Sequence, residues 1–150
     1  MVSIPDSMTA VQLVGTGGPE MLVVRHDVPV PEPAVDEVLI RVRACGMNNT
    51  DINTRVGWYS KSVTGATDGQ GISGVVEDGA WDGEGVDFPR IQGADPCGEV
   101  VAVGELADPS LLGRRVLVDA WVRDKADPND RAKAHYLGSE RDGGYAQFCA

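Results

Sequence analysis

Aromatic residues, basic charge and long apolar runs are all scarce in this chain of 150 residues. Its 13 Lys and Arg residues are outnumbered by 23 Asp and Glu residues, which gives a formal net charge of −10. Because nucleic acids and anionic membranes repel such a chain, neither is an expected partner. No stretch approaches the roughly 18 apolar residues of a membrane-spanning helix. No basic and apolar leader indicates a signal peptide.

Cysteine is also sparse, and its spacing excludes the common local motifs. Cys45, Cys97 and Cys149 form neither a Cys-x-x-Cys pair nor a zinc knuckle. We therefore expect free thiols that pack as small apolar side chains, in a protein of the reducing cytoplasm.

Glycine and proline, by contrast, are abundant, with 19 and 9 residues. Together with the low aromatic content they favour short strands and many turns over a helical bundle. The expected fold is mainly β with short helices, in one domain over residues 9–150 that follows a flexible leader at 1–8. Apolar alternation and turn residues place strands at 9–14, 20–28, 36–44, 97–103, 115–121 and 143–150.

Helical structure is expected at two short segments. A helix over 51–56 can be capped by Asn49 or Thr50 and ended by Gly57. A second one is expected near 130–134. Both are too short to dominate the fold, so they serve as connections between strands.

Residues 62–87 form an irregular, Gly-rich and acidic insertion that carries six carboxylates and no Lys or Arg. Segments of this length without periodicity are functional lids or poorly ordered. Since long surface loops are tolerated at little cost, a surface excursion without a role is the alternative.

Several spaced segments carry motifs in a fixed order. They read Arg-Ala-Cys-Gly-Met-Asn-Asn-Thr-Asp at 43–51, Arg-Val-Gly-Trp-Tyr at 55–59, a Gly-rich strand at 88–104, Gly-Arg-Arg-Val-Leu-Val at 113–118 and Gly-Gly-Tyr-Ala-Gln-Phe at 143–148. Taken together they resemble the medium-chain dehydrogenase/reductase family. The resemblance implies a GroES-like fold, a distorted β-barrel on the substrate side of an oxidoreductase. In that family a second, Rossmann domain binds NADH or NADPH.

We expect the Rossmann domain to be absent from this chain. The segment Gly15-Thr-Gly-Gly18 lacks the G-x-G-x-x-G spacing and lies between two strand patterns, so it predicts a hairpin turn rather than a phosphate loop. The fragment alone is therefore expected to bind no nicotinamide cofactor and to be inactive.

The resemblance also implies where zinc-dependent members take two of their catalytic ligands, a Cys and a His. In this sequence those positions hold Asn48 and Ala94, neither of which offers a thiolate or an imidazole. Since catalytic zinc needs three protein ligands, no zinc is expected. Asn48 and the triplet Gly93-Ala-Asp95 instead resemble the quinone oxidoreductase and enoyl reductase branch.

Asn48, Tyr59 and Thr50 are the candidate catalytic residues. The resemblance implies that Asn48 and Tyr59 line the substrate cleft, where an amide and a hydroxyl can donate to an oxygen that gains negative charge. Tyr can also supply a proton. Each has a structural alternative: a turn cap for Asn48, a packing role for Tyr59 and a helix cap for Thr50. Arg43, Asn48, Tyr59 and Asp95 should then lie near one another.

Two nearby carboxylates are expected to be structural. Asp51 is predicted to anchor local backbone or to pair with an Arg. Asp95 lies on an apolar strand, and a buried carboxylate needs a partner, for which Arg55 or Arg115 is the candidate.

The resemblance implies a zinc-independent, NAD(P)H-dependent reductase that acts on a small carbonyl or quinone substrate. If the insertion at 62–87 lies over the cleft, its carboxylates disfavour anionic substrates and favour neutral quinones or enals. Besides the substrate, the expected partners are the Rossmann domain and a second copy in a homo-oligomer. Two alternatives stay open: a zinc dehydrogenase with Cys45 and Asp51 as displaced ligands, and a stand-alone GroES-like binding or assembly module.

Overall fold

The computed structural model describes residues 3–59 and 86–150, and it confirms a mainly β fold. Apart from Val86 and Asp87, the expected lid at 62–87 lies outside the described residues. Within them the strands are β1 Ser7–Leu13, β2 Leu22–Pro29, β3 Val38–Gly46, β4 Arg90–Ile91, β5 Asp95–Val103, β6 Arg115–Leu117, β7 Trp121–Val122, β8 His135–Tyr136 and β9 Phe148–Cys149. The α-helix is α1 Asn49–Arg55, and 3-10 turns span Pro19–Met21, Pro109–Leu111 and Arg131–Lys133. None of these helices is long and apolar enough to span a membrane.

The described strands pair antiparallel in two sheets and one small ribbon. The sheets have the orders β2-β1-β4 and β6-β5-β3-β9, and β7 pairs with β8. The predicted β1–β2 hairpin is confirmed, and its register runs from Ser7↔Pro29 to Leu13↔Leu22. The β3–β5 pair runs from Val38↔Val103 to Gly46↔Asp95. It therefore brings the end of β3, where α1 begins, next to the start of β5.

The core draws on consecutive as well as alternating residues of β3. A register shift between Leu39 and Ile40 allows both side chains to be buried, at 2% and 6% exposure. Leu39 packs in one apolar cluster with Met8 and Phe148. Met8 was expected in the loose leader, but β1 begins at Ser7 and Met8 is only 3% exposed. The last two residues of the expected leader thus belong to the sheet.

The expected strand at 115–121 is broken into two. β6 ends at Leu117, and β7 begins at Trp121. Between them the Asp119 carboxylate accepts the Trp121 backbone N–H at 3.2 Å. Asp side chains compete in this way with the hydrogen bonds of a ladder, which explains the interruption.

The expected strand at 143–150 is also shorter, since only Phe148 and Cys149 form β9. The preceding residues leave the β9 ladder and bond instead to the stretch between β4 and β5. Gly143 N–H donates to the Ile91 carbonyl at 2.7 Å, and a Cβ on Gly143 would lie 2.4 Å from the Gly93 carbonyl oxygen. Only glycine permits that approach, and the approach places the next residues beside α1.

Candidate functional site

Asn48 caps α1 at the point where β3 ends. Its backbone is extended, with φ −137° and ψ 177°. The Oδ1 atom accepts the Thr50 backbone N–H at 2.8 Å and the Thr50 hydroxyl, and Nδ2 donates to the Asp95 carboxylate. The cap was predicted at Asn49 or Thr50 and lies one residue earlier, because an Asn side chain reaches the N–H two residues ahead. Both ends of the amide are engaged, so its plane is fixed. The predicted helix end at Gly57 is confirmed by its φ of 72°.

Asp51 joins three segments of the chain around this cap. It is 8% exposed. Its Oδ2 accepts the Asn48 backbone N–H at 3.0 Å and the Tyr145 hydroxyl at 2.8 Å, and its Oδ1 accepts the Gly93 N–H at 3.1 Å. Its backbone carbonyl accepts from the Gln92 side chain at 2.9 Å. Of the two predicted roles, anchoring the backbone is the one that the structure shows.

Tyr145 was missed by the sequence analysis. Burial, followed by the hydrogen bond to Asp51, raises the pKa of its hydroxyl well above the usual range, so the hydroxyl stays a donor at neutral pH. Asp51 was expected to anchor local backbone or to pair with an Arg. Tyr145 lies within the motif at 143–148, but nothing local to that motif indicates a carboxylate partner 94 residues away.

The triplet Gly93-Ala94-Asp95 forms the second wall of the site. Gly93 has φ 99°, and a Cβ there would lie 2.6 Å from Tyr145 Cδ1 and 2.8 Å from Cys45 Sγ. Ala94 is 1% exposed within an apolar cluster. The turn at Gly93 thus buries Ala94 and presents Asp95 at the exposed start of β5.

The expected ion pair of Asp95 with Arg55 or Arg115 was wrong. Asp95 is exposed, and the hydrogen-bond partner of its carboxylate among the described residues is the Asn48 amide. The Arg55 guanidinium instead donates to the Gly17 carbonyl at 2.7 Å. A solvated carboxylate needs no cation, which removes the premise of the prediction.

Tyr59 follows the end of α1. Its hydroxyl is hydrogen-bonded to the Asn53 side chain, and its ring packs edge-on against Trp58 with the centroids 5.3 Å apart. Burial raises the pKa of this hydroxyl, and the Asn53 bond opposes the shift. The groove that Asn48 and Tyr59 were predicted to share stays a prediction.

Arg43 does not join the cluster around Asn48. Its guanidinium lies 3.4 Å from the Glu99 carboxylate. It is also three residues back from Gly46, and about 10 Å of strand separates the two.

Cys45 lies behind the site, within contact distance of the glycine-rich backbone. Burial raises the pKa of its thiol to about 11, and the neighbouring carboxylates of Asp51 and Asp95 add to this effect. Burial likewise raises the pKa of Cys149 to about 11. Cys149 packs in the core as predicted, whereas Cys45 and Cys97 are only partly buried.

The residues at the two zinc-ligand positions do not fit a metal. Ala94 has no donor atom, and the Asn48 amide is bonded at both ends. Asp51, one of the displaced ligands considered above, uses both carboxylate oxygens for hydrogen bonds. Residues 3–59 and 86–150 contain no group of three or more His, Cys, Asp or Glu arranged to hold a metal ion.

The Gly15–Gly18 loop is a hairpin connection held against α1. Its Gly17 N–H donates to the Arg55 carbonyl at 2.8 Å, and its Gly18 N–H donates to Glu20 Oε1 at 2.9 Å. These two donors serve the fold, as the hairpin prediction expected, and are not directed at a phosphate.

Comparison with known proteins assigns the fold to a family. The family profile described as "Alcohol dehydrogenase GroES-like domain" matches residues 34–150. The chain belongs to this family. The matched residues include both the Asn48 cap and the Gly93 turn, so the site lies within the GroES-like domain, as the sequence motifs indicated.

Relatives of this GroES-like domain carry two kinds of name. A quinone oxidoreductase of Lama guanicoe is 42% identical over 115 residues, which is 77% of this chain and 28% of the relative. An NAD-dependent alcohol dehydrogenase of Sulfurisphaera tokodaii is 27% identical over 148 residues, 94% of this chain and 37% of the relative. A crystal structure from Sinorhizobium meliloti 1021, provisionally assigned as an alcohol dehydrogenase, is 45% identical with a TM-score of 0.78 and covers 97% of this chain and 38% of its own. This chain thus spans between a quarter and two fifths of the length of these relatives.

Proposed function

We propose that this chain is the substrate-side domain of a zinc-independent, NAD(P)H-dependent reductase of quinones or enals. The proposal rests on the hydrogen bonds that fix the Asn48 side-chain amide. This amide stands at a zinc-ligand position, and Thr50 and Asp95 hold it in one orientation. A neutral amide held in this way is a preorganised hydrogen-bond donor rather than a metal ligand.

The chemistry expected of Asn48 follows from its hydrogen bonds. When a quinone or an enal is reduced, negative charge develops on its carbonyl oxygen. The Asn48 Nδ2 has two protons, of which one is donated to Asp95. The second proton is available to a substrate oxygen, and because the amide plane is already fixed, little reorganisation is needed in the transition state.

Tyr59 is proposed as the second donor and as the source of a proton. Its hydroxyl is protonated at neutral pH, as a proton donor must be, and the burial that raises its pKa makes it a weaker acid. Its bond to Asn53 ties it to the same helix that Asn48 caps.

Exposed apolar side chains near Asn48 support a neutral, apolar substrate. Met47 is 86% exposed, Ile52 49% and Trp58 40%. A contiguous exposed apolar patch marks a binding surface, and we propose that these three side chains form one. Quinone rings and alkyl enals match such groups better than charged thioesters do.

We propose that the cofactor binds to a separate domain of the full-length protein. In the Gly15–Gly18 loop, two backbone N–H groups already donate to Arg55 and Glu20, so they are not available to a cofactor phosphate. The nicotinamide would supply the hydride there. The residues of this chain would bind the carbonyl oxygen, orient it and deliver a proton.

The test is a comparison of Asn48→Ser with Asn49→Ala in the product of the complete reading frame. Ser keeps an oxygen that caps α1 but loses the amide donor, whereas Asn49 is the exposed neighbour on the same turn. We expect Asn48→Ser to lower kcat/KM for NADPH-dependent reduction of 1,4-benzoquinone or trans-2-hexenal about a hundredfold, the usual effect of losing one oxyanion donor. Asn49→Ala should leave it unchanged. Equal activity of the two variants would refute the role of Asn48.

A further inference from the structure

Three stretches of chain that are far apart in sequence meet at the Asp51 carboxylate. The start of α1 contributes the Asn48 N–H, the turn before β5 contributes the Gly93 N–H, and the segment before β9 contributes the Tyr145 hydroxyl. The last of these bonds spans 94 residues. It links the C-terminal segment to the capped helix.

Tyr145 also holds the Gly93 turn directly. Its backbone N–H donates to the Gln92 carbonyl at 2.9 Å, and the N–H of Gly144 donates to the Gly93 carbonyl at 2.7 Å. Its ring lies over Gly93, where a Cβ would come within 2.6 Å of Tyr145 Cδ1. Tyr145 therefore contacts the turn through its backbone and its ring, and contacts α1 through its hydroxyl and Asp51.

We propose that Tyr145 is a positioning residue that sets the Asn48 amide against the Asp95 carboxylate. Asn48 is fixed to α1 through Asp51, and Asp95 follows Gly93 by two residues, so the distance between amide and carboxylate depends on how α1 and the turn are joined. Asp51 bonds directly to Gly93 and Gln92 of the turn, and the Tyr145 hydroxyl adds a third connection, because Tyr145 is bonded both to the turn and to Asp51. The catalytic consequence of this positioning rests on the function proposed above, whereas the positioning itself does not.

The experiment compares Tyr145→Phe with Thr9→Val in the chain as it stands. Tyr145→Phe removes one hydroxyl, and Thr9→Val replaces one hydroxyl with a methyl group of similar size. The Thr9 hydroxyl bonds to His26 Nδ1 at 3.0 Å, within the β1–β2 hairpin, and serves as the matched control. The measurement is the ¹H–¹⁵N spectrum of the Asn48 side-chain amide, since a proton bonded to a carboxylate resonates apart from its free partner.

We expect Tyr145→Phe to shift the Asn48 amide pair by more than its line width and to bring its two proton resonances closer together. Thr9→Val should leave both in place. A folded Tyr145→Phe variant with the Asn48 resonances of the wild type would overturn the proposal, because a purely structural Tyr145 would alter stability alone.

Kinetics of the full-length protein separate this proposal from the proposed function. With both correct, Tyr145→Phe lowers kcat for quinone reduction about tenfold, the loss of roughly one charge-assisted hydrogen bond, while KM changes little. If the Asn48 resonances shift but Asn48→Ser retains full reductase activity, the positioning by Tyr145 stands and the proposed role of Asn48 fails. If kcat is unchanged in Tyr145→Phe while Asn48→Ser is inactive, the catalytic consequence of the positioning is refuted.

Discussion

Replacing Asp51 by Asn should destabilise the domain far more than the same change at Asp95. The Asp51 carboxylate is buried and accepts three hydrogen bonds, two at Oδ2 and one at Oδ1. An Asn side chain has one acceptor oxygen, so it can serve the Asn48 N–H and the Tyr145 hydroxyl only by turning its NH₂ group towards the Gly93 N–H. Two donors then face each other in a buried position.

The magnitude follows from those contacts. A buried donor left without an acceptor costs about 1–3 kcal/mol. The loss of charge assistance weakens the two remaining bonds, so the total for Asp51→Asn is about 2–4 kcal/mol. Asp95 is exposed and bonds to one amide, so its change to Asn should cost less than about 1 kcal/mol, as is usual for surface substitutions.

The assay is equilibrium unfolding in urea, followed by tryptophan fluorescence, with the two variants and the wild type measured at pH 7. The free energies of unfolding should fall in the order wild type, Asp95→Asn, Asp51→Asn. Equal losses for the two variants would show that the Asp51 carboxylate does not hold its three donors, and would remove the basis of the site described above.

Three further outcomes test other parts of the fold. The Arg141 guanidinium lies 2.7 Å from the Glu37 carboxylate and lowers the pKa of that carboxyl, so the pair stabilises the fold above the unfolded pKa near 4.5, and this contribution is lost as pH falls through the folded pKa. Glu37→Gln should therefore flatten the acid limb of a plot of unfolding free energy against pH. Parallel curves for the variant and the wild type would contradict this. Gly143→Ala should lower the melting temperature by several degrees, because its Cβ would meet the Gly93 carbonyl oxygen at 2.4 Å, and an unchanged value would mean that the backbone can move apart. If β1 begins at Ser7, Met8→Ala should lower the free energy of unfolding in urea by about 2–5 kcal/mol. A decrease below about 0.5 kcal/mol would show that Met8 belongs to a loose leader instead.

Sequence reasoning located the elements whose signals are local. The alternation of Val, Leu and Ile with Arg predicted β3, and Gly57 predicted the end of α1 because a left-handed residue is needed there. Anchoring of local backbone was one of the two roles predicted for Asp51, and its bond to the Asn48 N–H shows that role. Each of these conclusions depends on neighbours within a few residues.

The errors arise where distant segments decide the structure. The Tyr145 hydroxyl donates a hydrogen bond to Asp51, which is 94 residues away in the sequence, and no local pattern predicts that contact. The pairing of Gly143 with Ile91 likewise ended the last predicted strand early. Asp95 was assigned a cationic partner from the apolar composition of β5, but it stands at the exposed start of that strand. The exposure of Asp95 to solvent, rather than the apolar residues around it in the sequence, decides that its carboxylate needs no cation.

We propose that an oriented Asn48 amide takes the place of a catalytic metal in this site. The most direct measurement is zinc content, by elemental analysis, together with NADPH-dependent reduction of 1,4-benzoquinone before and after dialysis against a chelator, in the product of the complete reading frame. We expect well under one zinc per chain and the same rate after chelation. One tightly held zinc per chain, with activity lost on its removal and restored on its return, would contradict it.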